Sequence, residues 1–379
     1  MKTAVTESLS EAFLEKLLRL FSPIFSFVEQ ENISIADTFL AENMRQILPF
    51  YGFVKENLPS AAKAEDSMTI EMILLAEASE EMELWYEDES GQDPAQADES
   101  GQDPAQAPDP AQEDAAGAFV PRQKVHTVDL SEFQDYETLV KNFYTIDSTT
   151  MIGSDELDAQ RLAAKDMTLS GDSEGPQILI YHTHSQEGFA DSVAGDPTTS
   201  IVAVGENLAR ILTQDYGYKV LHHKGEYDVR LRSDAYSKAL PAVTQILADY
   251  PDIQVVIDLH RDSPPDGRRL VVDIDGKPTA QFMFFNGLSR TRQTGNISYL
   301  YNGNLAENLA FSFQLQVKAR EYYPGLSRKI YLKGYRYNMH LKPRTTLIEL
   351  GAQNNTLQEA MNACYPLAHI LDLVLSGEG

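Results

Sequence analysis

Gln177-Ile-Leu-Ile-Tyr-His-Thr-His-Ser-Gln-Glu187 decides how the chain is read. Ile178 to Tyr181 is a short apolar run without alternation, the pattern of a strand buried on both faces. It ends in His182, His184 and Glu187. In an open α/β sheet, side chains at strand ends converge on a cleft. Imidazole and carboxylate are also the ligands of catalytic zinc, in sets of three that leave a fourth position open. A second stretch repeats the form. Gln254-Val-Val-Ile-Asp-Leu-His-Arg-Asp262 is an apolar strand, expected over Ile253–Leu259, that ends at His260. Two parallel strands that each end in histidine bring both imidazoles to one sheet edge. His184, Glu187 and His260 are therefore the expected metal ligands. His182 stays open as an alternative ligand or as a contact behind the ligands or to substrate, because two residues of a continuing strand would share a face.

The third stretch is Arg344-Thr-Thr-Leu-Ile-Glu-Leu-Gly351. Glu349 interrupts an otherwise apolar strand, where carboxylates are rare unless paired or functional. Beside a metal site it has the chemistry of a general base and acid. The competing reading is a buried ion pair with Arg344 or Arg336. Arg230, Arg232, Arg261 and Arg336 are candidate cations for a substrate carbonyl or carboxylate, and His340 is a candidate substrate contact. His222 and His223 end a strand, are expected to lack a carboxylate partner nearby and read as structural. The chain has no Gly-rich phosphate loop and no Gly-x-Ser-x-Gly elbow, and its one cysteine, Cys364, falls in a helical stretch.

Outward from these strands the elements alternate. Helices are expected over Asp155–Ala164, Ile201–Leu212, Tyr236–Leu247, Leu305–Tyr322 and Leu357–Leu375. Further strands are expected over Lys219–His222, Arg328–Leu332 and Thr346–Leu350, with a hairpin pairing Leu270–Ile274 and Gln281–Phe285 across Asp275-Gly276. The fold class is α/β, a mostly parallel sheet covered by helices on both faces, plus a small helical N-terminal region. The expected domains are a helical region over 1–85, a linker over 86–121 and a catalytic domain over 122–379. The linker is marked by Asp88-Glu-Ser-Gly-Gln-Asp-Pro-Ala-Gln-Ala97, repeated residue for residue at Asp98–Ala107. Acidic and nearly without apolar side chains, it cannot bury enough surface to offset chain entropy and is expected to be a disordered spacer.

Bulk numbers bound the function. The chain has 379 residues, enough for two domains, and a net charge of −26. A surface this acidic argues against a nucleic-acid partner, whose phosphates need positive contacts. A single cysteine excludes an intrachain disulfide. No uninterrupted apolar run of about 20 residues occurs, so no membrane-spanning helix is expected in the chain as written.

Ile178-Leu-Ile-Tyr-His-Thr-His-Ser-Gln-Glu187, Ile257-Asp-Leu-His-Arg-Asp262, Met283-Phe-Phe-Asn-Gly-Leu-Ser289, Tyr323-Pro-Gly-Leu-Ser-Arg-Lys-Ile-Tyr331 and Leu347-Ile-Glu-Leu-Gly-Ala352 together resemble the stage II sporulation protein P (SpoIIP) family. The resemblance spans roughly Tyr136 to Leu375. It implies a zinc N-acetylmuramoyl-L-alanine amidase of the amidase-3 type that also cleaves peptide cross-links, acting on peptidoglycan during engulfment. By resemblance, His184, Glu187 and His260 hold Zn2+ and Glu349 is the catalytic acid/base. SpoIID and SpoIIM are the implied partners, and the implied location is outside the cytoplasm at the cell membrane, through an anchor helix that this sequence lacks. The residues alone also admit a zinc carboxypeptidase or endopeptidase, or a non-catalytic wall-binding scaffold.

Overall fold

The computed structural model describes residues 119–378, apart from 170, 172, 231, 265 and 266. The helical region expected over 1–85 and all but the end of the linker expected over 86–121 lie outside the described residues. The first elements are helix α1 (Tyr136–Phe143), strand β1 (Tyr144–Ile146), α2 (Ala159–Ala163), β2 (Ile178–Tyr181), α3 (Ile201–Gln214), β3 (Val220–His222), α4 (Ala235–Asp249) and β4 (Val255–Asp262). They are followed by β5 (Val271–Ile274), β6 (Lys277–Ala280), β7 (Phe282–Gly287), the two-residue strands β8 (Arg290–Thr291) and β9 (Gly295–Asn296), α5 (Leu305–Tyr322), β10 (Ile330–Lys333), β11 (Arg344–Ala352) and α6 (Leu357–Leu375).

Seven strands form the central sheet, in the order β1-β10-β7-β11-β4-β2-β3. β11, β4, β2 and β3 run parallel, and β1, β10 and β7 run parallel to one another. The two groups meet at the antiparallel pair β7–β11. The sheet is therefore mostly parallel, and the C-terminal ends of β2, β4 and β11 share one edge.

Strand parity sorts the side chains to two faces. Ile178, Ile180, Val255, Ile257, Ile348 and Phe284 point to a large apolar core shared with α3, α5 and α6. Leu179, Tyr181 and Val256 point the other way, onto Ala239 and Val243 of α4. Beside them Leu347 and Phe285 pack on Tyr236 of α4 and on Met339. Met339 belongs to a strap, residues 335–341, that crosses the end of β7. Gly287 makes that crossing fit, because a Cβ there would lie 2.2 Å from the Tyr335 carbonyl oxygen.

Two expectations are corrected. The hairpin pairs β5 with β6, and Phe282–Gly287 is a separate strand inside the central sheet. Phe282 to Phe285 are apolar toward both faces, which suits a central strand and not a half-solvated hairpin arm. Strand β4 runs to Asp262, so His260 lies within the strand and not just past its end.

Candidate metal centre

Strand β2 stops at Tyr181, and the chain turns away before the histidines. The turn is held from both sides. Asp258 of β4 accepts hydrogen bonds from Thr183 N at 2.9 Å and Thr183 Oγ1 at 2.6 Å. Asp228 accepts from Ser185 N and Gln186 N at 3.0 and 3.2 Å. These two buried carboxylates point His182 and His184 in different directions.

His184 joins Glu187 and His260. One ligand atom from each of these three buried residues lies within 4.8 Å of the others. Glu187 Oε1 is 3.6 Å from His184 Nδ1, and its Oε2 is 3.5 Å from His260 Nδ1. Glu187 is 2% exposed. Its Oε1 accepts from Arg232 Nη2 at 2.8 Å and its Oε2 from the Arg261 backbone N at 2.9 Å. Burial works against the charge of Glu187, but His260, His184 and Arg232 outweigh it and hold the carboxyl well below the usual range. Burial likewise opposes a charge on His260, yet Asp258 and Glu187 raise its pKa well above that of ordinary histidine. His260 Nε2 lies 2.8 Å from Asp258 Oδ1, an ion-pair contact that is not an aligned hydrogen bond. A carboxylate behind an imidazole is the usual support of a metal-ligating histidine.

Glu349 pairs with His260 in register across β11 and β4, so both side chains leave the sheet on the same face. The residue as a whole is half-buried, but its Oε2 is enclosed and has no hydrogen-bond partner among the described residues. Burial pushes its pKa up to about 8, with Asp262 and Glu187 adding and His260 and Arg232 opposing. The suggested ion pair with Arg344 does not form, because that guanidinium donates to the carbonyls of Met167 and Thr168.

The donor set fits a divalent metal of the zinc type. Two imidazoles and one carboxylate converge, and among the described residues the buried Nε2 of His184 has no hydrogen-bond partner. Behind the set, Tyr236 stacks on the His260 ring at 6.4 Å and meets the His184 ring edge-on at 5.7 Å. Tyr236 is held in turn by Tyr337 at 5.3 Å and by Asn338 Nδ2, which donates to its carbonyl oxygen at 3.2 Å. Sequence reading did not single out Tyr236, because nothing local shows that α4 lies over this face.

The other expected residues fall elsewhere. His182 is 0% exposed, so it does not reach substrate; its Nδ1 donates to the Leu259 carbonyl at 2.7 Å and its Nε2 meets His222 Nε2 at 2.8 Å. His222 has a carboxylate partner after all, Glu206 of α3, with Nδ1 and Oε2 2.9 Å apart. Arg232 grips Glu187 and is not left to bind substrate alone. Arg230 is exposed. Arg336 is buried, donates to the Tyr301 carbonyl at 3.3 Å and is lowered to about 10 by that burial. His340 lies close enough to Arg336 that burial and the guanidinium together lower it to about 3, which leaves it neutral. Among the described residues no helix is long and apolar enough to cross a membrane.

The molecule is thus an α/β protein with a His-Glu-His cluster, backed by a carboxylate, at one edge of its sheet. The family model of stage II sporulation protein P (SpoIIP) matches residues 50–372, and the chain belongs to that family. Stage II sporulation protein P of Bacillus subtilis (strain 168) is 26% identical over 227 residues, a match covering 55% of this chain and 53% of that protein. The chain therefore spans about half the length of this curated relative. Among solved structures, the N-acetylmuramoyl-L-alanine amidase from Clostridium difficile 630 is similar with a TM-score of 0.33 and 14% identity, over 53% of this chain and 95% of that one. The catalytic domain of CwlV, an N-acetylmuramoyl-L-alanine amidase from Bacillus (Paenibacillus) polymyxa var. colistinus, has a TM-score of 0.31 and 13% identity, over 52% and 96%.

Proposed function

We propose that the chain is a zinc-dependent peptidoglycan hydrolase that cleaves the amide between N-acetylmuramic acid and L-alanine, acting in engulfment during sporulation. The observation that carries this reading is the juxtaposition of His184, Glu187 and His260 within 4.8 Å, with Glu349 in register beside His260. Membership of the family supports the sporulation setting. By the same resemblance the site of action is extracytoplasmic and membrane-associated, with SpoIID and SpoIIM as partners.

His184, Glu187 and His260 would hold the metal. The chemistry that a bound zinc supplies is Lewis acidity, which makes water a nucleophile at neutral pH and polarises a carbonyl. The protein's own residues do the rest. Arg232 and the Arg261 backbone N–H keep Glu187 ionised and fixed. Asp258 and Tyr236 keep the His260 ring in place. Glu349, whose burial brings its pKa to about 8, can hold or release a proton near neutral pH. It takes the proton of the attacking water and returns it to the departing L-alanine amine. Among the described residues its enclosed oxygen has no hydrogen-bond donor.

Digestion of purified peptidoglycan followed by mass spectrometry of the new chain ends tests this reading. New L-alanine amines are expected from the zinc-loaded protein. Glu349→Gln should retain zinc and lose activity by about 10²–10⁴-fold, the usual worth of a positioned acid/base. Products cut only within the stem peptide would replace the amidase reading by a peptidase one. Unimpaired release by Glu349→Gln would remove that residue from the mechanism.

A further inference from the structure

The strap over residues 335–341 carries strain close to the metal centre. It holds two consecutive non-glycine residues in the left-handed region, Tyr337 at φ 49° and Asn338 at φ 54°. Asparagine tolerates that conformation, but for a bulky side chain it is costly. Such strain persists only where the surroundings over-determine it, and it gathers at functional sites. The strap is fastened along its length. Asn338 and Met339 are buried. Arg336 Nη1 donates to the Tyr301 carbonyl at 3.3 Å, Gly287 N to Met339 Sδ at 3.1 Å, and Asn304 Nδ2 to the His340 carbonyl at 2.8 Å. We propose that the strap is a positioning device for the metal centre, in which Tyr337 and Asn338 lock the Tyr236 ring against His184 and His260. The proposal rests on the metal-centre reading given above.

One ring orients both imidazoles. Tyr236 lies 12° from parallel to the His260 ring and 79° from the His184 ring, and the two imidazoles stand at 90° to each other with centroids 5.1 Å apart. A shift of Tyr236 therefore turns both at once. His260 also has Asp258 behind it. Among the described residues His184 has no carboxylate within ion-pair distance other than Glu187, so the Tyr236 ring is its second restraint. Tyr236 stands in the first turn of α4, where Asp234 makes no capping hydrogen bond. The helix end does not fasten it, and the fastening has to come from outside the helix.

The left-handed pair supplies it. Tyr337 enters between Phe285 and Tyr236, edge-on to both at 4.8 and 5.3 Å. The next residue, Asn338, donates from Nδ2 to the Tyr236 carbonyl at 3.2 Å. An extended chain would send two successive side chains to opposite faces. Here both reach one residue, Tyr337 its ring and Asn338 its main chain, and the left-handed backbone is what makes that possible. Phe285 lies within β7, so the series Phe285, Tyr337, Tyr236 carries the rigidity of the sheet to the imidazoles.

Visible absorption of the cobalt-loaded full chain tests the proposal without needing turnover. Co2+ enters zinc-type sites and, unlike d10 Zn2+, shows bands that follow ligand geometry. Asn338→Gly removes the donor to Tyr236 while leaving the left-handed backbone accessible. Tyr337→Leu removes the wedge. Both should bind about one cobalt per chain at saturation, with bands displaced from the parent's and affinity about tenfold lower, the smaller loss for a group behind the ligands. Tyr337→Phe should restore the parent spectrum. Val243→Ala, which loosens the packing of α4 about two turns away, should lower Tm and leave the spectrum unchanged. Calorimetric melting reports whether each variant is folded. Parent spectra in both Asn338→Gly and Tyr337→Leu would overturn the proposal. So would the same displacement in Val243→Ala, because general loosening would then explain it. A parent that takes up no cobalt would sink the metal-centre reading and the proposal with it.

Discussion

Two groups of two histidines and one glutamate sit near the end of β2, and they do opposite things. In the first, His184 and His260 both turn Nδ1 toward the same carboxylate, Glu187, from 3.6 and 3.5 Å. In the second, the groups stand in series, from the Leu259 carbonyl through His182 and His222 to Glu206. Composition is identical and geometry decides. Convergent nitrogens around a 2%-exposed carboxylate form a donor set that fits a metal. Nitrogens in line are each taken by the next member, and the series ends at a carboxylate whose side chain is 60% exposed. With both imidazoles neutral, the second group is one proton short. Each of its three contacts needs one, and two neutral imidazoles carry two. A carbonyl only accepts, so neutral His182 donates from Nδ1 and accepts at Nε2 from His222, which leaves His222 Nδ1 facing Glu206 with a lone pair.

The largest expected effect separates the two groups outright. Zinc measured by mass spectrometry after dialysis should fall from about one per chain to near none in His184→Ala or His260→Ala, because three protein ligands become two. His222→Ala should keep its zinc. Equal loss in all three variants would mean that the convergent group is not the metal site.

The next effect tests the support of the ligands. Asp258→Asn leaves every proposed ligand in place but removes the charge 2.8 Å behind His260 Nε2. Zinc affinity from chelator competition should drop about 10–100-fold, the usual loss for a partner behind a ligand. An unchanged affinity would make Asp258 a fastener of Thr183 and nothing more.

How much of this could be read from the chain follows from what is local. That His184, Glu187, His260 and Glu349 gather at one edge was legible because polar side chains stand out where apolar strands end, and parallel strands bring such ends together. The extent of β4 was not, so the lateral pairing of His260 with Glu349 appears only in the sheet register. Tyr236 and Glu206 were invisible for a different reason. Both sit on helices, and sequence does not say which helix covers which end of the sheet. Arg232 carried the right charge for substrate but meets the buried Glu187 first. The repeat at Asp88–Ala97 and Asp98–Ala107 needed no structure to be recognised, since its two copies match residue for residue.

A third, smaller effect probes the packing of the series group. Gly205 of α3 lies against both of its rings. A Cβ there would stand 2.6 Å from His182 Nε2 and 2.8 Å from His222 Nε2. Both rings are held, so Gly205→Ala should destabilise by about 1–3 kcal/mol. A fall of several degrees in Tm by calorimetry is expected, with zinc content unchanged. A Tm equal to the parent's would show that α3 can shift without loss.

The smallest effect tests the missing proton. In Glu206→Gln the amide N–H can donate to the bare Nδ1 of neutral His222, which completes the series without a third proton. The same change removes the exposed ion pair with Lys224, worth about 0–1 kcal/mol. Near pH 8 these effects oppose each other, and the variant should match the parent within about 0.5 kcal/mol. Acid separates them. Burial already lowers the pKa of His222, with Lys224 and His223 adding and Glu206 resisting. A histidine whose folded pKa lies below its unfolded value costs stability as pH falls through the unfolded value, near 6.5. Removing Glu206 deepens that depression, so the variant should lose more stability than the parent between pH 7 and pH 5. Parallel melting curves across that window would show that Glu206 does not hold the proton, and that the series is fastened only at its His182 end.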